Sequence, residues 1–188
     1  MNGPLLRADG DLRADLRSTF GWLTTRDIEE QYADVTGWWR SPAILPRLGP
    51  ALAELFADDE PTVVLGLASR GCLLGPLVAV HLGVGFVEVR KDRYPATDAD
   101  AWLQTRTPPD YHDQQLDLGL RRELLRSTDR VLLVDDWVAT GGQALGARSL
   151  VERADASWVG LAVLVDALTE PATRRDLRVR SLVNVREL

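Results

Sequence analysis

A single cysteine, Cys72, is all the thiol chemistry in the 188 residues, so no disulfide can form within the chain. That scarcity points to a reducing compartment, and a cytoplasmic location is the expectation. Histidine is almost as rare. His81 and His112 cannot build a histidine cage, so any metal should arrive with a bound ligand. No apolar run is long enough to span a bilayer, the longest candidates being broken by Arg, Glu or Asp, and no leader of the signal-peptide type is evident, so no membrane partner is expected. The net charge is −6 and the arginines are dispersed, which argues against a nucleic-acid surface. Of 22 Lys and Arg residues only Lys91 is a lysine, and it stands at the end of a predicted buried strand. A compact, flexible ammonium suits a mobile phosphate partner better than a planar guanidinium, and that reading is preferred to its alternative, chance retention at a solvent-facing strand end.

What the chain has in quantity is apolar surface. At 45% hydrophobic residues it can bury one sizeable core without help from metals or disulfides. Strand-like and helix-like runs alternate: a strand near Thr62 to Leu67, a helix near Cys72 to Leu82, strands near Gly85 to Arg90, Gln114 to Leu118 and Val131 onward, a helix after Gly142, and a strand near Trp158 to Val165. Such alternation specifies an α/β fold with a parallel sheet. Residues 1–60 read as a helical and irregular region, with Leu12, Leu16, Phe20 and Leu23 at helical spacing and a second helix over Ile44 to Phe56. Residues 61–188 hold the alternating core, and a last strand over Ser181 to Val185 returns to the N-terminal region or the sheet edge.

The chemistry concentrates in VLLVDDWVATGGQALGARSLV, from Val131 to Val151. A fully buried strand ends in two carboxylates, Asp135 and Asp136, and the chain turns through Thr140, Gly141 and Gly142 into a helix. Glycines let backbone amides approach a phosphate, the helix start adds positive potential, and the Thr140 hydroxyl adds a donor. The pattern calls for a sugar phosphate, although a strand, an acidic pair and a Gly-Gly turn also occur as a plain loop and helix start.

The order and spacing resemble the phosphoribosyl diphosphate (PRPP) signature of type I phosphoribosyltransferases. By that resemblance Asp135 and Asp136 hold the ribose hydroxyls and Ala139, Thr140, Gly141, Gly142 and Gln143 hold the 5-phosphate, with Gln143 standing where the family usually has a hydroxyl residue. GLASRGCLLGPLVAVHLGVGFVEVRK, Gly66 to Lys91, looks like the matching segment of adenine phosphoribosyltransferases. The resemblance gives Ser69, Arg70, Gly71 and Lys91 to the departing pyrophosphate, with Arg70 and Lys91 stabilising its charge. Ala68 stands where the family is commonly acidic. Cys72, beside Arg70, reads as a packing residue more readily than as a nucleophile.

The polar segment between Lys91 and Asp117, with Pro95, Pro108 and Pro109, reads as a lid that excludes water from a cation-like ribosyl centre, and Trp102 and Tyr111 offer it apolar contacts. LDLG at Leu116 to Gly119 is similar to the family's LEYG; Asp117 then takes the position of the glutamate proposed to handle a proton on the purine, unless it is a solvated residue on an alternating strand. EQYADVTGWW resembles the family's base-binding ILFRDVT, so Tyr32 takes the stacking place, Ala33 stands in place of Arg, and Val138 completes the implied base contacts. Trp38 and Trp39 read as packing residues.

The resemblance implies an α/β, parallel-sheet phosphoribosyltransferase core with flanking helices, a flexible lid loop and a small hood from the N-terminal region. It implies transfer of 5-phosphoribosyl from PRPP to a nitrogenous base, a purine such as adenine, with Mg2+ carried by PRPP and water-linked to Asp135 and Asp136, and a homodimer. Two alternatives stay open: a non-catalytic PRPP-binding regulator, and an enzyme of the same family with another acceptor.

Overall fold

The computed structural model describes residues 10–24, 31–91, 101–108 and 115–188. Its centre is a five-stranded parallel sheet in the order β4-β3-β7-β8-β9, built from β3 (Val63–Leu67), β4 (Gly85–Val89), β7 (Arg130–Val138), β8 (Ser157–Asp166) and β9 (Val179–Asn184). Val131 to Val134 are buried throughout because helices or a hairpin cover both faces of the sheet. One face packs against α3 (Leu45–Glu54) and α4 (Gly71–Leu82), with Leu48, Leu52, Phe56, Leu74 and Val78 meeting Val64, Leu132 and Val134. The other packs against α5 (Gly142–Arg153) and the antiparallel hairpin of β5 (Trp102–Arg106) and β6 (Asp117–Arg121), through Ala147, Leu150, Leu103 and Leu118.

The N-terminal region differs from its helical reading. The predicted helix stops at α1 (Leu12–Thr19), and Leu23 lies exposed on a hairpin of β1 (Gly21–Thr24) and β2 (Gln31–Asp34). Asp11 caps α1 by accepting the Arg13 amide at 3.0 Å, and the chain is extended by Phe20. A short α2 (Thr36–Arg40) follows and buries Trp38. Beyond β8, α6 (Pro171–Asp176) leads into β9, so the last strand closes the sheet edge.

Part of the segment read as a lid is a β-strand. Residues 101–108 and 115–116 are described, and Trp102 belongs to β5; Pro95, Pro109, Tyr111, His112 and Gln114 lie outside the described residues. The strand expected near Gln114 to Leu118 is centred later, over Asp117 to Arg121, where pairing with β5 sets its register. A single antiparallel bridge, Arg90 to Gly119, fastens this hairpin to the end of β4 immediately before Lys91. No described helix is long and apolar enough to cross a membrane.

Candidate active site

Neighbouring strands β3 and β7 send the chain in opposite directions, β3 towards β4 and β7 towards β8. A crevice therefore opens beyond their carboxyl ends, the place where open parallel sheets bind ligands. Two helices begin there, α4 after β3 and α5 after β7. Each offers first-turn amides without intrahelical acceptors and the positive end of its dipole, giving two adjacent seats for anions.

The α5 seat borders a cleft of about 250 Å³ lined by Ala139, Thr140, Gly141, Gly142, Gln143 and Ala144, together with Asp135, Trp137 and Val138. Gly141 has φ of +80°, and a Cβ there would come within 2.8 Å of the Thr173 methyl, so glycine satisfies both the backbone and the space. The Thr140 hydroxyl lies 3.4 Å from the Gly142 amide, over the helix start. On the α4 side, the Ala68–Ser69 peptide is cis and Ser69 and Arg70 are exposed. A Cβ on Gly71 would fall 2.8 Å from the Val134 carbonyl, so only glycine lets the α4 start approach β7 this closely.

Successive strand residues point to opposite faces, and the acidic pair divides accordingly. Asp135 lines the cleft, whereas Asp136 is buried and ion-paired with Arg70, which reaches it from the α4 turn. Asp135 accepts the Asp136 amide at 2.9 Å. Burial, and next the charge of Asp136, push the Asp135 carboxyl up to about 7, while the Asp136 amide and the positive charge of Lys91 pull it back. Lys91 is thus an electrostatic neighbour of the cleft carboxyl. Cys72 beside them is pushed up to about 11, chiefly by burial and then by Glu88 and Asp135. Its thiol donates to the Gly66 carbonyl at 3.5 Å, the environment of a packing residue rather than a nucleophile.

The residues expected to touch a base are scattered. Val138 lines the cleft. Ala33 pairs with Trp22 in the hairpin register and shares its face, whereas Tyr32 pairs with Leu23 on the opposite face and does not line the cleft. Asp117 faces Arg106 across the β5–β6 ladder, with Nε to Oδ1 at 3.0 Å; its neighbour Leu116, not Asp117 itself, borders the cleft.

Sequence reasoning missed Trp137, Thr107 and Pro108. Trp137 sits inside the motif, but only the third dimension shows it in the cleft wall, packed against Phe20 and Trp22. Thr107 is buried: its amide donates to the Leu116 carbonyl and its hydroxyl accepts the Leu116 amide, both at 2.9 Å. This clasp lays Pro108 over α5, where Gly146 leaves room for Leu118 and Thr107.

Residues 40–186, most of the chain, match the family described as the phosphoribosyl transferase domain. The chain belongs to the phosphoribosyltransferase family. It is an enzyme of the pentosyltransferase class on a type I phosphoribosyltransferase fold. An adenine phosphoribosyltransferase of Streptomyces coelicolor is 38% identical over 137 residues, covering 72% of this chain and 71% of its own. One from Acidothermus cellulolyticus is 33% identical over 157 residues, covering 82% and 85%. The crystal structure of adenine phosphoribosyltransferase from Rhodothermus marinus superposes with a TM-score of 0.77 at 31% identity, covering 93% of this chain and 98% of the other. A Saccharomyces cerevisiae enzyme of the same name, complexed with an imino-altritol bisphosphate and adenine, gives a TM-score of 0.76 at 27% identity, covering 91% and 98%.

The residues expected on the donor side converge on one crevice: Asp135 and the 139–143 turn line it, and Arg70, Asp136 and Lys91 adjoin it. Among the described residues no three His, Cys, Asp or Glu side chains gather as a metal site. The available donors are hard carboxylate oxygens, which suit Mg2+ held jointly with a phosphate ligand.

Proposed function

We propose that this phosphoribosyltransferase moves the 5-phosphoribosyl group of PRPP to a purine, with adenine the first candidate, and releases pyrophosphate. One observation carries the reading: a carboxyl suited to ribose hydroxyls and a glycine turn suited to phosphate share a single cleft beside a second helix start. The names of the relatives, and adenine in the yeast complex, support the acceptor.

In this mechanism the α5 amides and Thr140 hold the 5-phosphate while Asp135 accepts from the ribose hydroxyls, so binding energy far from the reacting carbon orients the sugar. The amides at Ser69 and Gly71 receive the diphosphate. Arg70 exchanges its partner Asp136 for the diphosphate, and Lys91 adds a second positive charge. Asp135 and Asp136 would hold Mg2+ through water, and that ion supplies charge neutralisation to the leaving group. The anomeric C–O bond breaks with its electron pair leaving on pyrophosphate, a ring nitrogen of the base forms the new C–N bond, and the ring loses a proton. Asp117 is the proposed proton acceptor, released from Arg106 when substrate binds.

The double substitution Asp135→Asn with Asp136→Asn should abolish transfer in a radiolabelled assay, and near-normal turnover would overturn the assignment. Ala33, in place of the family's arginine, favours a second reading in which the acceptor is another base. A non-catalytic PRPP regulator would bind PRPP without releasing pyrophosphate to any base in a panel. A homodimer is also proposed: Leu73, Leu77 and Val80 form a stripe at helical spacing along α4 that is 57%, 38% and 82% exposed. The scarcity of cysteine supports a cytoplasmic location.

A further inference from the structure

We propose that Asp166 and Arg174 are a positioning pair: locked together behind the 139–143 turn, they hold Gly141 in place and so set where the α5 amides meet a phosphate. The inference rests on the proposed reading of that turn as a phosphate seat and adds to it two residues that lie behind the cleft wall.

Asp166 ends β8, is 5% exposed and does not line the cleft. One short loop satisfies its carboxylate. Arg174 Nε lies 2.6 Å from Oδ2 and Nη2 3.3 Å from Oδ1, and the Leu168 amide donates to Oδ1 at 2.9 Å. Arg174 Nη2 also donates to the Leu168 carbonyl at 2.6 Å, so the pair grips Leu168 by both of its backbone polar groups. Desolvating a buried ion pair offsets most of what the attraction gains, so its net stability is small. What a two-pronged guanidinium–carboxylate contact supplies is a fixed geometry.

That geometry reaches the turn at both ends. Asp166 stands opposite Val138 in register, and the next amide, of Ala167, donates to the Val138 carbonyl at 2.8 Å, fixing where the turn leaves β7. Farther on, Gly141 is backed by Thr173, Leu177 and Leu168: a Cβ built on it would come within 2.8, 3.2 and 3.4 Å of their side chains. Leu168 is the residue the pair grips, and Thr173 and Leu177 flank Arg174 on α6 and just beyond it. Two adjacent glycines have no side chains to restrain the turn and the freest of backbones, so its place is set from behind. Gly141 is also the N-cap of α5 and accepts the Leu145 amide at 2.9 Å, so a shift of this wall carries the helix start with it.

The test is calorimetry with two probes, ribose 5-phosphate for the α5 seat and pyrophosphate with Mg2+ for the α4 seat, alongside steady-state kinetics. Misplacing a positioned group by about 1 Å costs up to about a hundredfold. Arg174→Ala should weaken ribose 5-phosphate and raise the PRPP KM at least about tenfold, leaving pyrophosphate affinity within about threefold. Arg174→Lys keeps the charge without the fork; it should show the same selective loss at about threefold or more, and it serves if Arg174→Ala does not fold. Arg180→Ala, which breaks a 2.7 Å ion pair with Asp59 near the start of β9, should leave both probes unchanged. Unchanged ribose 5-phosphate affinity in the Arg174 variants, equal losses for both probes, a fall in kcat with the PRPP KM unmoved, or the same selective loss in Arg180→Ala each overturns the proposal. A wild type that binds neither ribose 5-phosphate nor PRPP removes the phosphate seat and the pair's role with it; a wild type that binds both, with variants that bind equally well, removes the pair's role alone.

Discussion

Asp135 shows what the donor site costs the fold. Its carboxyl, pushed up to about 7 by burial and by Asp136, keeps in the folded chain a proton that the unfolded chain releases near pH 4. The native state thus binds more protons between these values, so this group's contribution favours folding below the unfolded pKa and is lost as pH rises through the folded one. Asp135→Asn should therefore melt higher than the wild type at pH 8, with the advantage gone by pH 4; a melting difference independent of pH would refute the assignment. In the proposed mechanism the same proton competes with ribose hydroxyls, and PRPP affinity measured calorimetrically should rise from pH 6 to pH 8. Cys72, pushed up to about 11 from a usual 9.0, should carry about a hundredfold less thiolate than an open thiol. Iodoacetamide labelling at pH 8 followed by mass spectrometry should be correspondingly slow.

Helix α3 is tied to the sheet by Phe56, which follows it in the chain and packs where Gly160 leaves room on β8; a Cβ on Gly160 would fall 2.4 Å from the ring. Arg180 covers the ring at 4.2 Å. Phe56→Ala should cost about 3–5 kcal/mol in chemical denaturation, the range for emptying an aromatic site in a core. Strands β3, β7 and β8 and helix α4 were legible in the sequence because each is an apolar run bounded by polar breaks, and helix α5 because its apolar residues recur at helical spacing after the glycine turn. The β1–β2 hairpin was not, since Leu12, Leu16, Phe20 and Leu23 keep helical spacing past the point where the helix ends. Strand β5 was hidden in a polar, proline-bearing segment. Its pairing with β6, not its composition, makes it a strand.

At the scale of the whole molecule, the exposed stripe on α4 sets the assembly prediction. Leu73→Glu with Val80→Glu should convert a dimer to a monomer in light scattering, and a wild-type monomer at the same concentration would remove the homodimer proposal. The apolar alternation along the chain by itself determined the parallel sheet, and one contiguous stretch determined the proposed phosphate seat, because a strand, a glycine turn and a helix start form their site from neighbours in sequence. Tertiary structure alone decided that Asp136 turns to Arg70 while Asp135 faces the cleft, and that Thr107 and Pro108 reach over α5. It also placed Trp137 against Phe20 and Trp22, more than a hundred residues away, and set Tyr32 on the far face of its hairpin. The proposed donor side is local in sequence; the wall around Trp137 is assembled from distant segments, and no spacing along the chain encodes which faces of those segments meet.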